Sequence, residues 1–332
     1  MEWGVHLLRP VADTEVAFLR RGGLERVTVH LPWRWIEQKR GVLDFAALDH
    51  FLQPLVASGL PLQGVLGPGM PHLLPDWLLE AGGADNEDYI RLFAGYCEAS
   101  ADYLRGISVF RVEDELNAAY LWESLRTRRR RGRNWRRAQF RRELLLTAAT
   151  TVRRARPDAE VRATVQAGLP GWKRELKSWL AAGLSVDRLG VAISPCGLLP
   201  HPALAERVGY AVEGARGVLQ RMTGVSAPSG GPRTTSLEVS RVAYPTHQRA
   251  WSPRLQREFL VGAAQSAADA GAVGFHWWSL RDQAYDDPIL RYWTPSAERH
   301  MGLMYYDGSP KPALDEYRVV ATGDRFGEGS LG

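Results

Sequence analysis

Two glutamates stand where β-strands are expected to end, far apart in the chain. Glu115 follows the apolar run Ile107–Val112, and Glu238 lies in the run Thr234–Val239. A carboxylate in an otherwise apolar strand carries a desolvation cost, so its presence there points to a function. If both carboxyl groups faced one cavity, one could protonate a leaving oxygen while the other attacked the neighbouring carbon, as in the cleavage of a glycosidic bond. This pairing is the central hypothesis from the sequence.

The elements that must position these residues form a repeating pattern. Short apolar runs predict eight strands: Trp3–Leu8, Arg26–Leu31, Leu62–Leu66, Ile107–Val112, Glu160–Val165, Arg188–Ile193, Thr234–Val239 and Val273–Trp278. Segments with helical spacing lie between them: Phe45–Ala57, Glu87–Leu104, Phe140–Arg154, Trp172–Ala182, Pro202–Met222 and Pro253–Ala270. This alternation, with no long Pro/Gly/Ser linker, predicts a (β/α)8 barrel. We expect one domain over residues 1–322 and a flexible tail over 323–332.

The residues at the predicted strand ends are of the types that line sugar-binding sites. In a barrel of this type the active site lies at the carboxyl ends of the strands. Those ends supply acids, tryptophans and histidines, and no Gly-rich phosphate loop or dinucleotide motif follows any of them. By the two-residue period of a strand, Glu238 shares a face with Ser236 and Ser240, and we expect that face to point into the barrel mouth.

The charge of the chain is concentrated in one segment. The net charge is +5, but residues 126–142 hold ten arginines and no acid, so the remainder would carry +5 − 10 = −5. This segment falls between the fourth strand and the next helix, on the expected active-site face. A solvated loop is one interpretation, and a subsite for an anionic glycoside is another. Nucleic acid is a weaker alternative, for which Trp135 could stack a base or a sugar.

Composition narrows the class of protein. The chain has 332 residues, of which 45% are hydrophobic and 24% charged, and no apolar run approaches the roughly 18 residues of a membrane span. The first residues read as a strand and lack the layout of a signal peptide. Cys97 and Cys196 indicate neither a disulfide framework nor a zinc site. We expect a cytoplasmic protein without membrane partner, metal or other cofactor.

Several motifs together give a family resemblance. Asp114-Glu115-Leu116-Asn117 is similar to the Asn-Glu-Pro-Asn-like motif that ends strand four in clan A of the glycoside hydrolases, the retaining (β/α)8 enzymes of the β-galactosidase, β-xylosidase and cellulase types. Five further pieces resemble the clan in the right order: 33–49, 59–62, 71–78, 274–282 and 301–313. The resemblance covers most of the chain.

The resemblance implies roles for individual residues. Glu115 matches the acid/base at the end of strand four, and Glu238 is expected to be the nucleophile of strand seven in a retaining hydrolase acting on a β-linked glycoside. The other expected substrate-binding residues are Asp114, Trp278, Trp33, His30, Tyr244, His276 and Asp282. Among them, Trp278 would stack on the sugar ring.

The sequence differs from the clan pattern at the ends of strands four and six. Asp114 stands where the clan has an asparagine that binds the sugar 2-hydroxyl, and an ionised Asp accepts hydrogen bonds without donating them. The strand-six exit reads Ser194-Pro195-Cys196-Gly197 instead of an aromatic or histidine pair. These changes leave two alternatives open: a barrel adapted to a glycosylated specialised metabolite, and a non-catalytic barrel that binds a glycan or a polyanion.

Overall fold

The protein is a closed barrel of eight parallel strands in sequence order, β1-β2-β3-β4-β5-β6-β7-β8. The computed structural model describes residues 1–11, 13–67, 73–113, 115–119, 133–193, 202–223, 235–247, 251–283 and 297–322. The strands are β1 Glu2–Leu7, β2 Arg26–His30, β3 Leu62–Val65, β4 Ile107–Arg111, β5 Glu160–Gln166, β6 Arg188–Ile193, β7 Ser236–Val242 and β8 Gly274–Trp277. The predicted fold class is therefore confirmed.

Helices surround this barrel. Those in the described ranges are α1 Asp13–Arg21, α2 Trp33–Ile36, α3 Ala46–Ala57, α4 Asp76–Glu80, α5 Tyr89–Tyr103, α6 Ala138–Ala155, α7 Trp172–Ala181, α8 Glu206–Thr223, α9 Pro253–Asp269 and α10 Pro312–Thr322. Short 3-10 turns include Gly83–Asp85, Leu116–Ala118 and Arg133–Arg136. None of the described helices is long and apolar enough to cross a membrane. The helices α1, α2, α4 and α10 were not predicted from the sequence.

Local signals explain where several helices begin and end. Ser252 precedes α9, its hydroxyl accepts a hydrogen bond from the Leu255 amide at 3.3 Å, and Pro253 occupies the first helical position. Gly59 and Gly183 follow α3 and α7 with φ of +72° and +89°. A left-handed residue ends a helix at little cost only if it is glycine, so these turns lead directly into β3 and towards β6.

Strand β7 differs from its predicted bounds in a way that affects the site. The sequence predicted Thr234–Val239, whereas the strand runs from Ser236 to Val242. Its pairing with β6 is also irregular, because Val191 pairs with Val239 and the next residue, Ala192, pairs with Arg241. Ser240 is thus the extra residue of a β-bulge, and beyond it the alternation of inward and outward side chains is reset.

Charged side chains fill the amino-terminal half of the barrel interior. Glu238 is completely buried and accepts hydrogen bonds from Arg162 at 2.6 Å and from Arg111 at 3.2 Å. Arg162 also donates to Glu2 at 2.9 Å and to Glu160 at 2.8 Å. These carboxylates come from the first residues of β1 and β5, so they place the network at the bottom of the barrel. Arg26 and Arg188 complete it through Glu2.

The charges in this network hold one another in the ionised form. Burial alone would raise the pKa of Glu238, but the Arg162 guanidinium overcomes that effect and the pKa lies below its ordinary value. Burial would also raise the pKa of Glu2, whereas hydrogen bonds from His276 and Arg162 bring it well below the ordinary range. Gly4 makes room for this layer, because a Cβ at that position would overlap the His276 ring.

We predict that Glu238→Gln lowers the free energy of unfolding by about 3–5 kcal/mol, because it removes the fully buried negative charge that faces the guanidinium groups of Arg162 and Arg111. Urea denaturation at neutral pH measures this. The matched control is Glu160→Gln, since that side chain is 25% exposed and pairs with the same Arg162. The control should cost about 1 kcal/mol or less. Equal and small effects of the two substitutions would contradict the structural role of Glu238.

Candidate functional site

Glu115 lies at the barrel mouth, by which we mean the carboxyl ends of the strands. It is buried, with 1% exposure, and immediately precedes the turn Leu116–Ala118. Its backbone has φ +67° and ψ +39°, a left-handed conformation that a residue with a Cβ adopts at a cost. Strained residues of this kind cluster at functional sites, so the strand-four exit is the first candidate position for function.

A fixed amide orients the Glu115 carboxylate. The Gln166 side chain, at the end of β5, donates from Nε2 to Glu115 Oε1 at 2.9 Å. Its Oε1 accepts from the Gly168 amide at 3.0 Å, which settles the orientation of the amide group. Asn117 holds the Gln166 backbone through two hydrogen bonds, at 2.8 and 3.0 Å. The exits of β4 and β5 are therefore locked to each other around Glu115.

The residue that strand seven presents to Glu115 is Arg241. The Arg241 Nη1 atom lies 3.4 Å from Glu115 Oε1, and both side chains are almost fully buried. The bulge at Ser240 turns Arg241 towards the mouth, because it shifts the inward face by one residue. The strict two-residue period used in the sequence analysis could not reveal this. Arg241 is the site residue that sequence reasoning missed.

Trp278 lies at the strand-eight exit, as predicted, in an aromatic cluster. Its ring is 5.1 Å from that of His6 and 5.5 Å from that of His30, which ends β2. The Arg241 guanidinium lies 3.8 Å from the centre of the Trp278 ring in a cation–π contact. One face of the indole is therefore covered by the chain's own side chain. Among the described residues, no acceptor meets the Trp278 Nε1–H group.

The expectation that Glu238 lies at the mouth is wrong. Glu238 is the third of seven residues in β7, and its Cβ faces Gly274, the first residue of β8. Arg241 follows three residues later, about 10 Å further along the strand at the usual rise per residue. The structure thus brings Glu115 together with Arg241 and leaves Glu238 in the ionic network below. The error arose because β7 continues past Val239.

His276 is also an interior residue and not part of the mouth. It is fully buried, its Nε2 atom lies 3.4 Å from Glu2, and its Nδ1 atom lies 3.4 Å from the Thr28 hydroxyl. Burial lowers its pKa, in spite of the hydrogen bond to Glu2. His276 therefore packs as a neutral ring within the barrel.

Tyr244 faces away from the mouth. Beyond the bulge, Arg241 and Ala243 share the inward face, whereas Tyr244 points towards the helices and packs at 5.0 Å on both Trp251 and Phe259. It is fully buried, and burial raises its pKa to about 12. The expected role of Tyr244 in substrate binding is contradicted because the shifted alternation turns it into a core residue.

Trp33 and Asp282 are structural as well. Trp33 is 2% exposed and stacks on Tyr96 of α5 at 5.1 Å, so it belongs to the layer between helices and barrel. Asp282 accepts hydrogen bonds from Lys311 at 2.7 Å and from the Gly302 amide at 2.9 Å, and it thereby ties the strand-eight exit to the segment before α10. Neither residue contributes to the cluster around Glu115.

Some expected site residues lie outside the described ranges. These are Asp114, the strand-six exit 194–197 and residues 126–132 of the arginine-rich segment. Their predicted roles stay predictions.

One group of side chains within the described ranges has the makeup of a metal site. Oxygen and nitrogen atoms of Glu2, Glu238 and His276 lie within 4.8 Å of one another. The guanidinium groups of Arg162 and Arg111 already bind these carboxylates and supply the positive charge that an ion would bring. We therefore assign no metal to this group.

Comparison with solved structures finds this barrel in glycoside hydrolases. Exo-β-1,4-mannosidase Op5Man5 from Opitutaceae bacterium strain TAV5 matches 98% of this chain with a TM-score of 0.72 and 15% identity, and this chain spans 59% of the mannosidase. GH5_18 from Streptomyces cattleya in complex with GlcNAc matches 96% of this chain and 76% of its own, with a TM-score of 0.69 and 15% identity. The GH1 β-glucosidase from Exiguobacterium antarcticum B7 matches 98% of both chains, with a TM-score of 0.69 and 11% identity.

These likenesses confirm, at the level of fold, the resemblance to clan A that the motifs indicated. At 11–15% identity they show the fold alone. No protein-family model matches the sequence, and no curated protein does.

The buried histidines predict a dependence of stability on pH. Burial, followed by the charge of Arg111, lowers the pKa of His6 well below 6.5, and burial lowers that of His276. The unfolded chain therefore binds protons first as the pH falls through 6.5, and the free energy of unfolding should decrease by up to about 1.4 kcal/mol per pH unit for each histidine. Glu2 and Glu238 add a further loss below about 4.5.

Urea denaturation between about pH 7.5 and 5 measures this slope. His276→Gln should reduce it, whereas His50→Gln, at an exposed position of α3, should leave it unchanged. A free energy of unfolding that stays flat over this interval in the wild-type protein would contradict the neutral, buried state of both rings.

Proposed function

We propose that the barrel mouth binds a glycoside and does not cleave it by double displacement between two glutamates. The single observation that carries this proposal is the ion pair of Glu115 and Arg241. In the retaining mechanism the groups facing each other across the sugar are two carboxyl groups, about 5–5.5 Å apart. Here a guanidinium group meets the strand-four glutamate from strand seven.

Arg241 cannot take the role of the missing carboxylate. A guanidinium group stays protonated in proteins and donates hydrogen bonds without accepting them, so it offers no electron pair to an anomeric carbon. Glu238 could supply one, but it is fully buried and bound by Arg162 and Arg111. Its release would take the Glu238 carboxylate away from both guanidinium groups inside the barrel, which is strongly unfavourable. The hypothesis of Glu115 and Glu238 as acid/base and nucleophile therefore loses its geometric basis.

The same groups are suited to holding a sugar. Glu115 offers carboxylate oxygens to hydroxyl groups, whereas Arg241 and the indole N–H of Trp278 offer donors. A polyol needs both kinds of partner in one place. Because Arg241 covers one face of Trp278, a ring that stacks on this face must displace the guanidinium, and a ring that meets the edge of the indole need not.

Glycoside hydrolysis is the second candidate, and one observation favours it. Glu115 occupies the strand-four exit in a strained conformation, which is the position that the resemblance assigns to the acid/base. In this version Glu115 would protonate the leaving oxygen of a specialised glycoside while a water molecule attacks the anomeric carbon, and Glu238 would form no bond to the sugar. The likeness to glycosidase folds is compatible with either candidate.

We predict that wild-type protein binds β-linked oligosaccharides of mannose, glucose or N-acetylglucosamine, and releases no nitrophenol from the corresponding aryl glycosides. Glu115→Gln and Arg241→Gln should each weaken binding about tenfold to hundredfold, because each removes a charged hydrogen-bonding group from the ligand. Titration calorimetry measures the binding. Glu98→Gln is the matched control, since Glu98 lies on α5 with its side chain 51% exposed and should not affect affinity.

The outcomes separate the candidates. Turnover of an aryl glycoside that Glu115→Gln abolishes and Glu238→Gln retains, when folded, would establish the hydrolase with a different attacking group. Loss of turnover in folded Glu238→Gln would restore the two-glutamate mechanism. A protein that neither binds nor cleaves any glycoside of the panel, with oligouronates included in it, would refute both candidates.

A further inference from the structure

The part of the arginine-rich segment that the structure describes begins with a surface turn whose backbone is held by hydrogen bonds. Residues 133–136 form a 3-10 turn against the turn Gly83–Asp85. The Asp85 carboxylate accepts hydrogen bonds from the backbone amides of Arg133 and Asn134, at 3.1 and 2.9 Å, and the Asn134 side chain donates to the Ala84 carbonyl at 2.9 Å. The backbone of this turn is therefore fixed at three points.

Two side chains of the segment face inward and hold it to the barrel. Trp135 is 1% exposed and packs on Tyr89 and Phe140, at 5.7 and 5.3 Å. Arg141 binds both oxygens of Glu175, at 2.7 and 2.8 Å, and also donates to the Trp135 carbonyl. The interpretation that Trp135 stacks a base or a sugar is thus wrong, because the ring belongs to the core.

The remaining arginines of the turn point outward. Arg133, Arg136 and Arg137 are exposed, and we call these three residues the arginine ledge. Within the described ranges no carboxylate forms an ion pair with any of them, and Arg137 donates only to the Asn134 side chain at 3.1 Å. Elsewhere, exposed arginines such as Arg105 and Arg154 pair with a neighbouring acid. The ledge therefore presents positive charge without compensation from the described chain.

The position of the ledge connects it with the mouth. The segment that carries it leaves β4 just after Glu115 and returns to the barrel through α6, so the ledge lies on the connection that follows the strand-four exit. Arg241 adds a further guanidinium group within the mouth, beside Glu115. A ligand chain that occupies the mouth and reaches the ledge meets the ion pair of Glu115 and Arg241 in the mouth and the exposed arginines at the ledge.

We propose that the glycan bound by this protein is acidic, with carboxylate groups along its chain that the arginine ledge recognises. This inference rests on the proposed binding of a glycoside at the mouth. Nucleic acid fits less well, because sequence-tolerant binding of single strands uses exposed aromatic rings, and the aromatic ring of this turn is buried. A guanidinium group binds a carboxylate through two parallel hydrogen bonds. Three exposed arginines within residues 133–137 can therefore bind the carboxylate groups of a uronic acid repeat.

The test compares oligouronates with their carboxyl-reduced forms, which keep the sugar chain and lose the charge. Wild-type protein should bind the oligouronate about tenfold more tightly than the reduced form, and the advantage should shrink between about 50 and about 200 mM salt. The triple variant Arg133→Ser, Arg136→Ser, Arg137→Ser should lose this advantage and keep its affinity for the reduced form. The control Arg174→Ser, Arg207→Ser, Arg221→Ser removes the same charge from exposed positions on α7 and α8 and should keep the advantage.

Each other result has a definite meaning. An advantage that survives in the ledge variant, or that disappears equally in the control, would overturn the inference. Single-stranded RNA that binds more tightly than every oligouronate, with the difference abolished in the ledge variant, would assign the ledge to nucleic acid instead. Wild-type binding of reduced and charged glycans with equal affinity overturns only the acidic preference, whereas binding of neither overturns the proposed function.

Discussion

Pairing of buried charge determines which glutamate of this protein is available for chemistry. An unpaired carboxylate inside a protein is strongly unfavourable, so a buried one persists only where cations and donors surround it. Glu238 meets this condition deep in the barrel through Arg162 and Arg111, and Glu115 meets it at the mouth through Arg241 and Gln166. Glu238 and Glu115 therefore each satisfy the need of a buried carboxylate for cations and donors, but with different partners. The proposal that they do not form one catalytic pair follows from this separation.

The ionic network also shows how a barrel can carry an unusual interior. Barrel cores are commonly filled by branched apolar side chains in layers. Here part of the interior consists of arginines and glutamates from β1, β4, β5 and β7, together with a neutral histidine from β8. Such a layer contributes specificity of packing, but it makes the stability of the protein sensitive to acid. Its histidines stay neutral and its carboxylates stay ionised at pH values at which the same groups bind protons in the unfolded chain.

The mouth combines a buried glutamate from the strand-four exit with an arginine from strand seven. Glu115 keeps the position at the strand-four exit, with its oxygen oriented by Gln166 and its backbone in a left-handed conformation. At strand seven, the bulge at Ser240 places a guanidinium group where the retaining mechanism requires a second carboxylate. The proposed binding of a sugar at this mouth thus relies on a carboxylate and a guanidinium group instead of two carboxylates.

The sequence by itself determined the architecture. Eight apolar runs with turn glycines and intervening helical periods predicted the barrel, and the motifs at the strand exits correctly located Glu115, His30 and Trp278 near the mouth. These features depend on local periodicity and on the rule that strand ends converge, both of which can be read along the chain.

Only the tertiary structure decided the chemistry of the site. The length of β7 and the bulge at Ser240 result from pairing with β6, and a shift of one residue exchanges the inward and outward faces. That shift sends Tyr244 to the core and Arg241 to the mouth. The extension of β7 to Val242 leaves Glu238 four residues before the end of the strand. Strand register depends on partners that are distant in sequence, and for that reason no pattern within the segment itself could reveal it.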